Sequence, residues 1–211
     1  MNFGILDNSN IFFSFLGYDL SYIEFIGTML YFTSVILIAR KNILTWPIGI
    51  VSVILYALLF YQVQLYADLF EQLYYLIVCI YGWLFWNKTK KESNQDIKFS
   101  SFSTLIVEIV VIAIISSTLY LLVFNLHLWF SSVFMRPASY PVLDSTTTSI
   151  SFVAMYLLTI KRVEGWIYWI IVDVIGIFLY WQKDLEFISI QYCLLMVIAG
   201  YGFIVWLKKS Q

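Results

Sequence analysis

Charged residues are scarce in this chain of 211 residues, because Asp, Glu, Lys and Arg together make up 12% of it, against about 25% in an average soluble protein. The 12 basic and 13 acidic residues nearly cancel, so the chain has no general electrostatic attraction for nucleic acid. Hydrophobic residues reach 62% and aromatic residues 20%. A soluble domain of this length needs far more polar surface than this composition supplies. The composition therefore predicts an integral membrane protein.

Residues that build reactive centres are equally scarce. The two cysteines, Cys79 and Cys193, stand inside apolar runs, which argues against disulfides and structural zinc. His127 is the only histidine, so the sequence cannot supply a histidine-based metal site or a Ser/His/Asp triad. The phosphate-binding pattern GxxxxGK[ST] is absent, which argues against ATP hydrolysis. We expect a protein that is not an enzyme and that uses no cofactor or metal.

Nine glycines and three prolines leave few breaks in the long apolar runs. A membrane-spanning helix needs about 20 mostly apolar residues, and backbone groups in hydrocarbon must be satisfied within their own segment. Seven helical spans are predicted, at residues 21–39, 44–62, 69–86, 102–124, 142–160, 165–182 and 186–207. Residues 11–16 are too short to cross, so segment 1–20 is expected to be an interfacial helix or a loosely held terminus. Its first 19 residues lack the Lys or Arg that a secretory signal peptide needs.

Basic residues predict the orientation of the spans, because Lys and Arg are enriched in cytoplasmic loops. Two of the twelve, Arg136 and Lys183, follow even-numbered spans. The other ten follow odd-numbered spans; they are Arg40, Lys41, Lys88, Lys90, Lys91, Lys98, Lys161, Arg162, Lys208 and Lys209. This bias places the amino terminus outside and the carboxyl terminus in the cytoplasm.

The first three spans resemble the last three at a constant offset of 120 residues. Without gaps, positions 21–88 and 141–208 share 13 identities in 68 positions. The matches include Trp46 with Trp166, Gln62 with Gln182, Tyr81-Gly82 with Tyr201-Gly202, and Trp86 with Trp206. Composition alone produces some identity between apolar helices, but matched Trp, Gln and Tyr-Gly pairs indicate a duplication.

The duplication predicts an all-α bundle of the form 3+1+3. After three spans the chain lies on the opposite side of the membrane, so a second copy fused directly would be inverted. The single span between the copies restores the same orientation for both. Parallel repeats of this kind hold the substrate of a transporter near the membrane midplane. The expected organisation is an amino-terminal segment 1–20, a first repeat 21–86, a connecting region 87–141, a second repeat 142–207 and a tail 208–211.

The sixth span carries the clearest candidate binding face. Spacings of three and four residues place Trp166, Trp169 and Asp173 on one side of the helix, with Tyr180 seven residues further on. Two indoles beside a carboxylate would bind an aromatic cation, because aromatic faces attract positive charge. The alternative for Trp166 is a place in the interfacial belt of aromatic residues. Asp173 is about eight residues from the nearer span end, too deep to reach the interface.

The third span adds Glu71, Gln72 and Tyr75, of which Glu71 and Tyr75 share a face. Gln191 is the counterpart of Glu71 in the second copy. Glu71 either lines the cavity or caps the start of its helix, where an acidic side chain is favoured by the helix dipole. Both interpretations stay open. For Asp68 the cap is the preferred interpretation.

Several of these residues carry a resemblance to a known family. The motifs are GYDLS at 17–21, QLYA at 64–67, YGW at 81–83 and Trp-x-x-Trp-x-x-x-Asp at 166–173. Together they resemble the Pnu-type vitamin transporters, over residues 17–206. The resemblance implies a SWEET-like arrangement of 3+1+3 helices and assembly into a small symmetric oligomer. It also implies facilitated diffusion of an unphosphorylated B vitamin or nucleoside, with trapping by a cytosolic kinase and no ATP or ion coupling.

Two departures from the family pattern bear on the substrate. Nicotinamide riboside-type members usually have Asn where this chain has Asp173, and this chain has Glu71 beside Gln72. Because thiamine combines a thiazolium cation with an aminopyrimidine, the added negative charge favours thiamine, with nicotinamide riboside as the alternative. Riboflavin or a deoxynucleoside is a more distant option. A proton-coupled carrier that uses Asp173 or Glu71 as a relay is the alternative mechanism.

Overall fold

The computed structural model describes residues 4–15, 17–91, 97–129, 140–182 and 185–210. Arg136 and Lys183, and the side chain of His127, lie outside the described part. Seven α-helices follow one another: α1 (Tyr22–Ala39), α2 (Thr45–Gln62), α3 (Tyr66–Lys91), α4 (Phe102–Trp129), α5 (Pro141–Thr159), α6 (Glu164–Gln182) and α7 (Glu186–Ser210). They coincide with the seven predicted spans to within a few residues, except that α3 and α4 run several residues further.

Six of the seven helices are long and apolar enough to cross a membrane, as judged over the described residues. The exception is α5, which has 19 residues but carries hydroxyl groups at 145–149 and at Ser151. Those hydroxyls lower its hydropathy without exposing it, because nine of its residues are buried. The sequence analysis counted α5 as a span of the same kind as the others, whereas its polar face lies inside the bundle.

The helices form a ring in which each packs against the next. The neighbours in order are α1, α2, α3, α5, α6 and α7, and α7 returns to α1. Helix α4 packs on α5, and its exterior is mostly uncovered. We call the end at which α2 and α6 begin the basic end, and the end at which α3 and α7 begin the acidic end.

Equivalent turns connect the first two helices of each group of three. Lys41 and Lys161, which are 120 residues apart, have φ angles of 60° and 62°, the left-handed conformation that L-residues adopt rarely. In each turn the N–H of the next residue donates to the helix before it, from Asn42 to the oxygen of Leu37 and from Arg162 to that of Leu157. The turn between the first and second helices therefore has the same local geometry in both groups of three.

Four tryptophans fill the bundle at the basic end. Trp46 and Trp86 meet edge to face with ring centroids 5.3 Å apart, and Trp166 and Trp206 do so at 5.7 Å. Trp86 and Trp206 connect the two pairs at 6.4 Å. All four side chains are at most 4% exposed. We call them the four-tryptophan cluster.

Two reciprocal hydrogen bonds tie the two groups of three helices together at this cluster. The indole N–H of Trp86 donates to the carbonyl oxygen of Thr159 at 2.8 Å. The indole N–H of Trp206 donates to that of Ala39 at 3.1 Å. The two donors, Trp86 and Trp206, are 120 residues apart, and so are the two acceptors, Ala39 and Thr159. Each group of three helices therefore donates one such bond to the other. By contrast, the indole nitrogens of Trp46 and Trp166 are buried without a hydrogen-bond partner.

The segment before α4 docks on the turn between α5 and α6. The N–H of Lys98 donates to the oxygen of Lys161, and the N–H of Val163 donates to the oxygen of Lys98. Ser100 then joins two carboxylates, donating through its backbone N–H to Glu164 at 3.0 Å and through its hydroxyl to Glu108 at 2.9 Å. These bonds fix the start of α4 against the second group of helices.

The amino-terminal segment differs from the expected interfacial helix or loose terminus. It forms a 3-10 turn at Gly4–Leu6 and an antiparallel hairpin of β1 (Ile11–Phe15) and β2 (Tyr18–Ser21). The side-chain amide of Gln62 at the end of α2 secures it, accepting from the N–H of Asn8 and donating to the oxygen of Leu6. The expectation of a helix was wrong because Ile11–Phe15 is extended and pairs with Tyr18–Ser21. In the described part of the chain, this hairpin accompanies an otherwise helical bundle.

The hydrogen bond of Trp86 can be tested against the unpaired indole of Trp46. We expect Trp86→Phe to lower the free energy of unfolding by about 1 kcal/mol more than Trp46→Phe, the net contribution of a buried hydrogen bond. Both substitutions remove the same volume, and only the first removes a bond. Thermal unfolding in detergent, followed by circular dichroism, measures the difference. Trp206→Phe should behave like Trp86→Phe, and a more damaging Trp46→Phe contradicts the assignment.

Candidate functional site

The carboxyl group of Asp173 lies halfway along α6, nine residues from each end of the helix. Its side chain is 2% exposed, and within the described part of the chain it makes no hydrogen bond or ion pair. Tyr31, on α1 in the other group of helices, interacts with it electrostatically. A buried carboxylate without a partner is costly, so a ligand or a proton that meets this group would stabilise the protein.

Tyrosines from five helices gather between the level of Asp173 and the acidic end of the bundle. We call them the central tyrosine cluster: Tyr31, Tyr56, Tyr75, Tyr180 and Tyr192. Tyr31 connects its members, because it interacts electrostatically with Tyr56, and both Tyr75 and Tyr192 interact with it. Aromatic faces attract cations, and the hydroxyls provide donors and acceptors. Through Tyr31 the cluster adjoins Asp173, and its groups are suited to a flat, positively charged molecule.

A glycine makes room for one of these tyrosines. A Cβ atom at Gly176 would collide with the ring of Tyr192, so only glycine lets this ring lie directly on α6. The ring of Tyr192 stacks on that of Tyr180, with centroids 5.2 Å apart and planes at 25°. The predicted site residue Tyr180 is thus held by contacts that depend on Gly176.

Glu71 is held by a bond between the two groups of helices. The hydroxyl of Thr148 on α5 donates to its carboxylate at 2.8 Å. Tyr75, one turn further along α3, interacts electrostatically with Glu71 and lies close to Ser151 of α5. The two predicted residues share a face as expected, and Glu71 makes a contact between helices rather than capping the start of α3.

Gln72 and Gln191 are half-buried near the acidic end. Their side-chain amides make no hydrogen bonds with the described residues, so each leaves a donor and an acceptor for a ligand. Gln72 lies beside Glu71 on α3, and Gln191 lies beside Tyr192 on α7. Each amide therefore lies next in sequence to, or within one turn of, a member of the central tyrosine cluster: Gln72 near Tyr75 on α3 and Gln191 beside Tyr192 on α7.

The two tryptophans of the sixth span lie closer to the basic end than Asp173. Trp166 belongs to the four-tryptophan cluster and is 1% exposed, with Gly202 against its ring. Trp169 is partly buried and packs against the same core. Seven residues separate Trp166 from Asp173, a rise of about 10 Å along the helix. The structure thus assigns Trp166 a packing role, and its part in ligand binding stays a prediction.

A chain of hydroxyl contacts leads from the hairpin into the bundle. The hydroxyl of Tyr18 donates to the carboxylate of Glu24, and burial together with this bond raises the pKa of the Tyr18 hydroxyl. Tyr18 therefore stays a neutral donor. Deeper in the bundle, Thr28 and Tyr56 share a hydrogen bond of 2.7 Å. Ser21 caps the start of α1, where its hydroxyl accepts from the N–H of Glu24.

Three comparisons with known proteins bear on this site. The family described as "Nicotinamide mononucleotide transporter" matches residues 21–208. The chain belongs to this family of membrane transporters. It is therefore a multi-pass membrane transporter of the vitamin-carrying Pnu type and not an enzyme.

Curated relatives support the same assignment over most of their length. The nicotinamide riboside transporter PnuC of Escherichia coli (strain K12) is 29% identical over 212 residues, which cover 92% of this chain and 89% of that protein. The protein of the same name from Neisseria mucosa is 26% identical over 185 residues, covering 82% and 67%. A crystal structure of the vitamin B3 transporter PnuC has a TM-score of 0.66 at 20% identity, covering 90% of this chain and 82% of that one. This last likeness shows the fold.

Sequence analysis missed three residues that the structure places at the centre: Tyr31, Tyr192 and Thr148. Tyr31 and Tyr192 stand in apolar runs without a charged neighbour, so nothing distinguishes them from packing residues. For Thr148 a signal did exist, since three consecutive threonines in a spanning segment are unusual unless they face the protein interior. Among the described residues, no group of three His, Cys, Asp or Glu side chains could hold a metal ion.

The contact between Gly176 and Tyr192 predicts a specific cost. We expect Gly176→Ala to lower the free energy of unfolding by about 1–3 kcal/mol, because the added methyl group overpacks the site. Gly200→Ala is the control, since nothing lies within 4 Å of a Cβ there. It should be neutral or slightly stabilising. In a Tyr192→Leu background the cost of Gly176→Ala should shrink, and an unchanged cost in that double variant contradicts the contact.

Proposed function

We propose that this protein carries nicotinamide riboside across a bacterial inner membrane by facilitated diffusion. The observation that carries the proposal is the carboxylate of Asp173, which is buried without a partner among the described residues and lies next to Tyr31 of the central tyrosine cluster. The curated relatives are named for nicotinamide riboside, and they cover most of this chain. Their printed substrate supports the choice among the vitamins that such a site could accept.

The chemistry of nicotinamide riboside matches the site on three counts. Its pyridinium ring is flat and positively charged, so it can lie against tyrosine rings with its charge near Asp173. Its ribose hydroxyls can donate and accept hydrogen bonds, which suits the amides of Gln72 and Gln191. The oxygen of Glu71 that Thr148 does not use is a further acceptor. Trp169 and Tyr75 would complete the wall of the site.

Thiamine is the second candidate, and Asp173 is the observation that favours it. The argument from charge for thiamine is weaker than the sequence suggested, because nicotinamide riboside is an aromatic cation as well. A deep carboxylate therefore attracts both vitamins and discriminates between them only through the groups around it.

A phosphorylated substrate is disfavoured by the charges of the described residues. Phosphate groups are usually bound by Arg, Lys or helix amino termini. The described Lys and Arg residues lie at the basic end, in the turns or at the ends of helices, whereas Glu71 and Asp173 lie within the spans. A mononucleotide would place its phosphate near two carboxylates. We infer that the substrate enters without phosphate and that a cytosolic kinase traps it afterwards.

The architecture proposed for transport is two like-oriented repeats, α1–α3 and α5–α7, joined by α4. The reciprocal bonds of Trp86 and Trp206, the equivalent turns at Lys41 and Lys161, and the symmetric order of the ring support it. They are expected of parallel repeats about an axis along the membrane normal, with the substrate between them. We propose that α5 spans the membrane as the seventh helix, since it lies between α3, α4 and α6. The basic end then faces the cytoplasm, and assembly into a small oligomer is proposed from the family resemblance.

The role of Asp173 can be tested with Asp173→Asn. We expect the Kd for nicotinamide riboside to rise about tenfold or more, equivalent to about 1.4 kcal/mol or more, because an amide offers no charge to the pyridinium ring. Quenching of tryptophan fluorescence in purified protein measures this Kd. The binding of thiamine should weaken as well. Neutral nicotinamide should be unaffected.

Asp68→Asn is the matched control, because Asp68 begins α3 at the acidic end. It should leave the Kd close to that of the wild type. Unchanged binding of both cations by Asp173→Asn contradicts the assigned site. Tighter binding of thiamine than of nicotinamide riboside by the wild type makes thiamine the substrate.

Facilitated diffusion can be separated from proton coupling in liposomes without kinase. Valinomycin with equal potassium on both sides holds the membrane potential at zero, and a pH gradient is then imposed. We expect nicotinamide riboside to reach equal concentrations inside and outside, because a uniporter responds only to the electrochemical gradient of its substrate. Accumulation driven by the pH gradient, and lost with Asp173→Asn or Glu71→Gln, would establish the proton-coupled mechanism instead.

A further inference from the structure

The two seams of the ring at which the groups of three helices meet differ in their bonds. At the seam between α3 and α5, Thr148 donates to Glu71, and the hydroxyl of Tyr74 donates to the carbonyl oxygen of Phe152 at 2.6 Å. The rings of Tyr74 and Phe152 also pack with centroids 4.1 Å apart. With the bond from Trp86 at the basic end, hydrogen bonds cross this seam from residue 71 to residue 86, about 22 Å of helix.

The seam between α1 and α7 lacks most of these bonds. The offset of 120 residues relates Tyr74 to Leu194, which has no donor, and Glu71 to Gln191. The counterpart of Thr148 is Thr28, which bonds to Tyr56 within its own group. Both α1 and α7 are described throughout, and only the bond from Trp206 at the basic end crosses between them. Toward the acidic end this seam is held by apolar and aromatic packing.

The hairpin covers the acidic end of the apolar seam. The ring of Tyr18 stacks on that of Phe187 at the start of α7, with centroids 5.0 Å apart and planes at 16°. On its other side, Tyr18 bonds to Glu24 of α1. Tyr18 of the hairpin therefore contacts both helices of this seam.

The physical cost of opening differs between the two seams. In a bilayer, apolar side chains exchange a neighbouring helix for lipid at little cost, because lipid tails are as apolar as the side chains. Hydrogen-bonding groups pulled apart in hydrocarbon stay unsatisfied. The α1–α7 seam can therefore part at the acidic end, whereas parting of the α3–α5 seam would break bonds at two levels there.

The opened seam would lead to the central site. Tyr31 of α1 and Tyr192 of α7 interact across it, and Tyr31 also interacts with Asp173. We propose that the α3–α5 seam is the fixed hinge of the carrier, and that the vitamin enters from the acidic end where α1 separates from α7 beneath the hairpin. This inference rests on the proposed function, because it assumes that a substrate passes through the bundle.

Reversible cross-links at equivalent positions test the two seams. In a Cys193→Ser background, one variant carries Ile26→Cys with Ile190→Cys across α1 and α7. Its counterpart, at the positions 120 residues away, carries Thr146→Cys with Phe70→Cys across α5 and α3 and keeps the bonds of Glu71 and Tyr74. The native Cys79 is buried and can stay. Each variant is joined by a short thiosulfonate cross-linker, and its uptake of nicotinamide riboside is compared before cross-linking, after it, and after reduction.

The expected result is loss of uptake when α1 and α7 are joined, with recovery on reduction, and unchanged uptake when α3 and α5 are joined. Uptake that survives the α1–α7 link overturns the proposal, as does a loss of uptake by the α3–α5 link alone or by both links.

A second measurement needs no substrate. Spin labels at Ile26→Cys and Ile190→Cys report the distance across α1 and α7, and labels at Thr146→Cys and Phe70→Cys report the equivalent distance across α5 and α3. We expect two distances for the first pair and one for the second. This pattern in a protein that carries neither vitamin would reject the proposed substrate and keep the hinge. A single distance for the first pair overturns the hinge.

Discussion

Hydrocarbon offers no partner to a polar group, and this constraint explains where the polar side chains of this protein lie. The hydroxyls of α5 face α3 and α4, the tryptophan N–H groups of Trp86 and Trp206 reach carbonyls across the bundle, and the tyrosines turn toward one another. Helix α5, whose apolar stretch falls short of those of the other six helices, is among the most buried, and its Thr146 and Thr148 hydroxyls find partners on α4 and α3. By contrast, the buried carboxylate of Asp173 has no hydrogen-bond or ion-pair partner among the described residues.

Divergence between the two groups of helices explains the site better than their likeness does. Where they agree, they build the frame: matched turns and reciprocal tryptophan bonds at the basic end. Where they differ, each difference has a consequence at the centre. Asp173 corresponds to Val53, so one side carries the charge. Gly176 corresponds to Tyr56, so a tyrosine from α2 and a tyrosine accommodated by a glycine on α6 face the same space.

Much of the fold follows from the sequence, because long apolar runs and the offset of 120 residues are strong signals. The positions of the helices and the membrane class were confirmed. The hairpin was missed, since a short pairing near the terminus depends on contacts with Gln62 and Phe187 that no local pattern reveals. The burial of Asp173 was predictable from its depth in the sixth span, and its role in binding stays a proposal. Periodicity alone predicted that Trp166 lies on a ligand-binding face. Periodicity cannot tell whether such a face contacts a ligand or packs against another side chain such as Trp206.

A carrier must also return empty, and this requirement bears on the lining of its chamber. In the proposed transport cycle the carboxylate of Asp173 is again unpaired when the cation leaves, and in a dry apolar cavity that state would be prohibitively costly. Water can take the place of the ligand only where several polar groups hold it. Tyrosine hydroxyls and the free amides of Gln72 and Gln191 are groups of that kind. The same side chains that would orient a ribose can therefore hydrate the empty site, so binding and release depend on one set of residues.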